Sequence, residues 1–334
     1  MEYRSRSLQN YITFGDIDHE VGELDARIRD LPGRIQELRT RGYVFKSYLE
    51  RKAEILAQQW ADLRQRVTTE VDKHGHELRS QADTLLQRMP TLRLIRNMNE
   101  LGAMDSAVSN LESRVEGVKQ SIKGLYGAVK ENIDQTHEQV NDLFWVLDQA
   151  DGAAFTLYPA EAVVSAVKAQ WLTGEKEGPK GIFYLTDERV LFEQREEMAT
   201  KKTLFITREK KKVQEVKWEA PLRQVTSARA RERGGAFLGI GKKEMLEVEF
   251  APDAAIPNAM LKLDADSDPW QGLIGRVKSG DIAGERTTPK DKAAVEAART
   301  APTKCTNCGA LLTQIIVKGM TEIKCEYCGA VMRL

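Results

Sequence analysis

An unbroken 3-4 alternation of apolar residues runs through Leu101, Met104, Val108, Leu111, Val115, Val118, Ile122, Leu125 and Val129. Such spacing lays apolar side chains along one stripe of a helix, and that stripe needs a second helical surface to cover it. An earlier stretch places Leu24, Ile28, Leu31, Ile35, Leu38, Phe45, Leu49, Leu56 and Leu63 on the same template, with Gly42, Lys52 and Gln59 as weak members. Through residue 150 the chain is rich in Gln, Arg and Glu, and only Pro32 and Pro90 interrupt it. Proline fits the first turn of a helix but not its interior, so breaks are predicted near 32 and 90. The two segments this leaves, 33–88 and 91–149, would each extend about 80–90 Å at 1.5 Å per residue, which suits an antiparallel coiled-coil hairpin. A two-helix stripe buries little surface, so the seam from Leu101 to Val129 is expected to pair with a second copy and form a homo-oligomer.

Near Phe155 the period changes. Strand-forming residues, punctuated by turns, fill 162–172, 181–185, 189–193, 203–207, 213–218, 224–231, 243–250 and 260–263. Then Ser267-Asp268-Pro269-Trp270 opens a helix whose Trp270, Leu273, Ile274 and Val277 fall on one face. Seven or eight antiparallel strands closed by one helix describe a small, partly open barrel plugged by that helix. The run Gly181-Ile182-Phe183-Tyr184-Leu185-Thr186-Asp187-Glu188-Arg189-Val190-Leu191-Phe192 resembles the central signature of GRAM domains, members of the pleckstrin-homology superfold. Tyr158-Pro159-Ala160-Glu161, Ala169-Gln170-Trp171, Trp218-Glu219-Ala220-Pro221-Leu222 and the Pro269-Trp270 helix follow in the family's order. The resemblance covers about 155–280. It implies a non-enzymatic platform that meets an anionic lipid surface or a protein partner.

Residues 281–302, with Gly284, Pro289, Pro302 and alternating charges, read as a flexible linker. All four cysteines lie beyond it, in Cys305-Thr306-Asn307-Cys308-Gly309 and Cys325-Glu326-Tyr327-Cys328-Gly329. Zinc takes four thiolates at tetrahedral corners. Each C-x-x-C turn presents two of them, and the following glycine permits the left-handed backbone of a knuckle. Leu311, Ile315, Val317 and Ile323 alternate between the pairs, as in the zinc ribbon that 303–334 also resembles. One structural Zn²⁺ is therefore expected, and it leaves no open coordination position for catalysis. So short a segment has too small a core to fold without its metal.

No nucleotide site is expected, because Gly234–Lys243 satisfies neither G-x-x-x-x-G-K-[ST] nor G-x-G-x-x-G. His74 and His76, two apart on a helix, point to different faces and form no metal pair. Fifty basic residues balance fifty acidic ones, so any attraction to polyanions must be local. Lys201–Lys243 holds thirteen Lys and Arg against four Asp and Glu. Within it, Lys210, Lys211, Lys212, Arg229, Arg231, Arg233, Phe237, Leu238, Lys242 and Lys243 form a candidate lipid- or partner-binding set, with apolar residues between basic flanks. A solvated barrel face is the plainer alternative. No run reaches eighteen apolar residues and Met1–Arg6 lacks the apolar stretch of a secretory signal, so neither a spanning helix nor export is expected. The sequence thus describes a multidomain, cytoplasmic, non-enzymatic scaffold: a coiled coil over 1–150, a GRAM-like barrel over 155–280, a linker and a ribbon. Peripheral attachment at the inner face of a membrane stays open. A nucleic-acid-associated factor using the ribbon and the basic face is the alternative.

Overall fold

The computed structural model describes residues 13–94, 98–174, 178–203, 206–233, 243–291, 305–310, 312 and 322–333. For 89–94, 98, 101, 198–203, 206–211, 232 and 233 it describes the backbone only. The chain divides into a helical unit, Met1–Glu37 with Tyr48–Asn141, and a sheet unit, Leu38–Ser47 with Asp142–Leu334. Three helices, α1 (Gly15–Thr40), α2 (Tyr48–Leu94) and α3 (Met98–Asp151), precede the strands. The division therefore cuts α1 after Glu37 and α3 after Asn141.

The break expected at Pro32 is absent: α1 runs through it. Pro32 lies on the exposed side of the helix, where its ring and the backbone bond it forfeits face water instead of the core. The chain turns instead at 41–47, where Gly42 takes φ +90° and Lys46 φ +55°. Arg39 holds that turn by donating to the carbonyls of Tyr43, Phe45 and Lys46 at 2.8, 2.7 and 3.0 Å. The template reading that ran from Leu24 to Leu63 therefore spans two helices. Helix α2 continues past Pro90 to Leu94, and α3 begins at Met98.

In the helical unit, Asp16 meets Lys119 and Lys123, Tyr126 donates to Glu20 at 2.7 Å, and Arg34 donates to Asn141 at 2.6 Å. Partner numbers rise together, so α1 lies parallel to α3. Trp60 packs edge-on to Tyr126 at 6.2 Å while Arg114 reaches Glu77 at 2.8 Å, so α2 runs antiparallel to α3. This arrangement buries Met104, Val108, Leu111, Val115 and Ile122 within a single chain, and leaves Val118, Leu125 and Val129 half-buried. The stripe then moves to Tyr126, Ile133 and Val140, because a straight helix drifts about 20° per heptad from a 3.5-residue repeat. The side chain of Leu101 lies outside the described residues. The buried members of the expected oligomerisation seam are thus covered by the chain's own helices.

The sheet unit carries β1 (Val163–Leu172), β2 (Lys180–Thr186), β3 (Arg189–Thr203), β4 (Ile206–Pro221), β5 (Val225–Arg233), β6 (Lys243–Phe250) and β7 (Asn258–Leu263). They form one antiparallel sheet in the order β4-β3-β2-β1-β7-β6-β5, followed by α4 (Ser267–Ser279). Helix α4 stops at Gly280, which adopts φ +88°. Its Trp270 lies 5.3 Å from Phe183, and Trp218 stacks on Phe192 at 6.2 Å, so aromatic side chains dominate this core. A Cβ on Gly181 would sit 1.8 Å from the carbonyl oxygen of Glu193, so only glycine admits β3 at that spacing. The expected separate strand at 203–207 is not seen. β3 and β4 instead pair from Arg189↔Pro221 to Thr203↔Ile206, and residues 204 and 205 lie outside the described residues. Beyond Gln194, β3 has no register with β2, so that stretch carries charged residues in place of apolar alternation.

The expected boundary near 150–155 also moves. The end of α3 belongs to the sheet unit, where Val146 is buried with Val163, Ala166, Ile182, Tyr184 and Leu191 and Trp145 packs against them. Tyr43 donates to the carbonyl of Val164 at 3.3 Å. Glu193, fully buried, accepts from Tyr184, Ala154 and Gln214 and lies 2.9 Å from Arg195. Residues 281–291, expected as the start of a flexible linker, are docked. Ser47 N–H donates to Glu285 O at 3.0 Å, Thr287 N–H donates to Val44 O at 2.7 Å, and Arg286 pairs with Asp187 at 2.6 Å. The rest of the linker, 292–302, lies outside the described residues. Among the described residues, no helix is long and apolar enough to cross a membrane.

Two charge networks yield predictions. Arg189, 6% exposed, binds the fully buried Glu161 at 2.9 Å, and also Glu219 at 2.6 Å and the Thr156 carbonyl at 2.6 Å. Arg189→Met strands the Glu161 carboxylate and should cost about 3–5 kcal/mol by urea unfolding, with part recovered in the double variant carrying Glu161→Gln. A loss below about 1 kcal/mol would show that the pair is dispensable. In the helical unit, His137 Nε2 lies 3.0 Å from Arg27 O, and its Nδ1 lies 3.4 Å from Arg34 Nη1. These partners select the neutral ring with its proton on Nε2. Burial, aided by the Arg27 and Arg34 charges and opposed by the hydrogen bond to Arg27 O, lowers its pKa below the ordinary 6.5. Below pH 6.5 the unfolded chain binds the proton more readily than the folded one, so stability should fall as pH drops through that value. His137→Gln should flatten this slope in pH-dependent unfolding; an unchanged slope would assign it to other groups.

Candidate metal centre

Each C-x-x-C-G segment folds into the same turn. Cys305 N–H donates to Ala310 O at 2.8 Å and Gly309 N–H donates to Cys305 O at 2.8 Å. The second turn repeats this, with Cys325 donating to Ala330 at 2.8 Å and Gly329 to Cys325 at 2.9 Å. Gly309 and Gly329 take φ +73° and +74°, a region that a Cβ disfavours, which explains the glycine after each pair. Strands β8 (Glu322–Lys324) and β9 (Val331–Arg333) pair antiparallel, turning Ile323 and Met332 inward beside Cys305 and Cys325.

The four sulfurs of Cys305, Cys308, Cys325 and Cys328 lie within 4.8 Å of one another, with Cys305–Cys328 at 3.5 Å and Cys308–Cys325 at 3.7 Å. A tetrahedral ion with bonds of about 2.3 Å to sulfur holds its ligands about 3.8 Å apart, so the residues fit such an ion. The chemistry of the set agrees. The Ala330 N–H, then the Asn307 side chain, lower the pKa of Cys328. Cys308 keeps the same kind of backbone donor in Ala310, yet neighbouring sulfurs push it up. Four thiolates this close repel one another, and a cation at their centre removes that conflict. All four predicted ligands are thus brought together.

The described members of the candidate lipid or partner set lie on β4, β5 and β6. Arg229 lies 3.3 Å from Glu249 and Arg231 lies 2.6 Å from Glu247, so the basic row on β5 is matched by an acidic row on β6. Lys210, Lys211 and Lys212 lie on β4, an edge of the sheet, with Lys212 opposite Glu197. Lysines on an unpaired edge hinder pairing with another chain. Arg233 faces Lys243 where the β5–β6 hairpin opens. Phe237, Leu238 and Lys242 lie outside the described residues. His74 contacts Glu70 at 3.2 Å, and His76 is exposed. The local basic surplus is offset at Arg229 and Arg231 by the carboxylates of β6.

Two features escaped the sequence reading. Asn307 donates through Nδ2 to Cys328 at 3.6 Å, across from one turn to the other. The Glu161–Arg189 pair ties the start of β3 to the segment before β1; its signal was an acidic residue ahead of one strand and a basic residue opening another.

No family model matches the chain. No curated protein matches it either. Among solved structures, the DH/PH domains of p115-RhoGEF are 17% identical over 70% of this chain and 66% of that chain, at a TM-score of 0.23. The match therefore spans just under two thirds of that solved chain's length. The DH/PH fragment of PDZ-RhoGEF in complex with human RhoA is 12% identical over 83% of this chain and 89% of that one, at a TM-score of 0.27. The ternary complex of human RhoA, its inhibitor and the DH/PH domain of human ARHGEF11 gives 12%, 83%, 89% and 0.26. At these scores the likeness carries no weight for fold or activity.

Cys308→Ser should remove bound metal from the full-length protein and expose the segment 305–333 to protease, as read by elemental analysis and limited digestion. Acidification should release the metal as well, because protons compete for the same sulfurs. A full equivalent of metal retained in Cys308→Ser would remove Cys308 from the ligand set.

Proposed function

We propose that this protein is a non-enzymatic adaptor, in which a GRAM-like, pleckstrin-homology-type sheet domain docks a protein partner and a zinc ribbon makes a second contact. The complete sulfur tetrahedron carries this reading. With four protein ligands, Zn²⁺ has no open position at which to activate water or polarise a substrate, and its task is to fold the ribbon. The sheet order, with a single helix after the last strand, supports the GRAM-like assignment. The buried charged groups of the sheet unit, Glu161, Glu188, Arg189 and Glu193, are held in internal pairs, which suits a platform better than a reaction centre. A cytoplasmic setting fits free thiols at a zinc site.

A protein partner is favoured over an anionic membrane because Glu249 and Glu247 neutralise Arg229 and Arg231 of β5. Sedimentation of the full-length chain with phosphatidylcholine vesicles and with vesicles holding added phosphatidylserine tests this choice. Binding to the two should agree within about twofold. A steep gain on the anionic vesicles, lost at high salt, would overturn it in favour of a membrane platform. The same measurement with single-stranded and duplex DNA addresses the nucleic-acid reading, for which strong salt-dependent binding is required.

A further inference from the structure

The two turns of the metal centre are near copies in their backbone hydrogen bonds, but their third positions differ. Asn307 occupies that place in the first turn and Tyr327 in the second. Asn307 directs both its backbone nitrogen and its side-chain nitrogen at sulfur. Its backbone N–H lies 3.4 Å from Cys305 Sγ in its own turn, and its Nδ2 lies 3.6 Å from Cys328 Sγ in the other. Those two sulfurs are themselves 3.5 Å apart. Tyr327 carries no side-chain N–H, and it stands 76% exposed. The approximate twofold symmetry of the backbone is thus broken in the shell around the sulfurs: one turn reaches across to brace its partner, and the other turns its aromatic ring to solvent.

We infer that Asn307 is a positioning residue for the metal, fixing the Cys328 sulfur where the ion requires it, and that Tyr327 has no part in metal affinity. This rests on the zinc reading above. A sulfur ligand bonded to one metal ion keeps lone pairs that accept N–H donors, and such a donor spreads the thiolate charge and fixes the direction of the sulfur. Apart from the cysteines themselves, the amide is also the sole side chain linking the two turns through a hydrogen bond to sulfur among the described residues. Loss of an outer partner of this kind lowers metal affinity by about 10–100-fold in other sites.

The test compares full-length wild type, Asn307→Ala, Asn307→Ser and Tyr327→Ala, each loaded with Zn²⁺ and titrated with a competing chelator. Asn307→Ala should weaken Zn²⁺ affinity by about tenfold or more, and Tyr327→Ala should stay within about twofold. Loading the same proteins with Co²⁺ supplies a spectroscopic check. The sulfur-to-cobalt charge-transfer band should shift in Asn307→Ala and not in Tyr327→Ala. Asn307→Ser, whose shorter hydroxyl cannot span the gap to Cys328, should behave as Asn307→Ala. Equal losses in Asn307→Ala and Tyr327→Ala, or affinity and spectrum both unchanged in Asn307→Ala, would overturn the inference while leaving the zinc site standing. Less than about one equivalent of Zn²⁺ in the wild-type chain would overturn the zinc reading, and this inference with it.

Discussion

The sheet unit depends on the ion pair between Arg189 and Glu161. A guanidinium and a carboxylate withdrawn this far from water are tolerated only when every polar atom finds a partner. Here Glu161 also accepts from Thr186 at 2.6 Å and from the backbone of Tyr158 at 2.6 Å, while the Tyr158 ring lies 4.0 Å beneath the guanidinium. The pair therefore joins the approach to β1, the β2–β3 turn and β4. One residue upstream the polarity reverses. Asp187 and Glu188 receive Arg286 and Lys290 from the far end of the unit, and Asp187 also accepts from the backbone of Ala162 at 2.9 Å. A turn of four residues, Thr186 to Arg189, thus gathers the segments that enter and leave the sheet. Their conservative-looking side chains hold a network in which the loss of one member leaves the others buried without partners.

Much of this was legible in the sequence wherever one face of an element must be apolar. The period of Met104 to Ile122 identifies a buried helical stripe, the alternation in 243–250 identifies β6, and Trp270, Ile274 and Val277 identify the inner face of α4. Periodicity says that a stripe is covered, not by what, and so it does not distinguish cover by α1 and α2 from cover by a second copy. Proline at 32 misled for a related reason: its cost depends on whether it faces water, which requires knowing where the core lies. The true turn was written in Gly42 and in an Arg39 able to collect three carbonyls, and the second of these is a tertiary fact. Charged strand segments such as Glu196–Lys202 escape pattern reading because their sequence carries no apolar alternation.

The metal centre was the most legible element, since its four ligands, spacing and glycines follow from coordination geometry and backbone sterics alone. What spacing could not convey was which neighbour touches which sulfur. The candidate basic face was least legible for the same reason. Lys and Arg counted along 201–243 give a surplus, but strand pairing sets Arg229 and Arg231 beside Glu247 and Glu249, and charge summed along a chain differs from charge summed across a surface.

The course of the chain through its two units has a consequence for how it can be divided. It begins in the helical unit, visits the sheet unit at 38–47, returns for 48–141, and ends in the sheet unit. Neither unit is a continuous stretch, so no single cut yields either one whole. The excursion from 48 to 141 leaves the sheet unit and comes back to it, which makes the long hairpin an insertion in topological terms. Its length is therefore free to change by whole turns, added to α2 and α3 together, without altering a residue of the sheet.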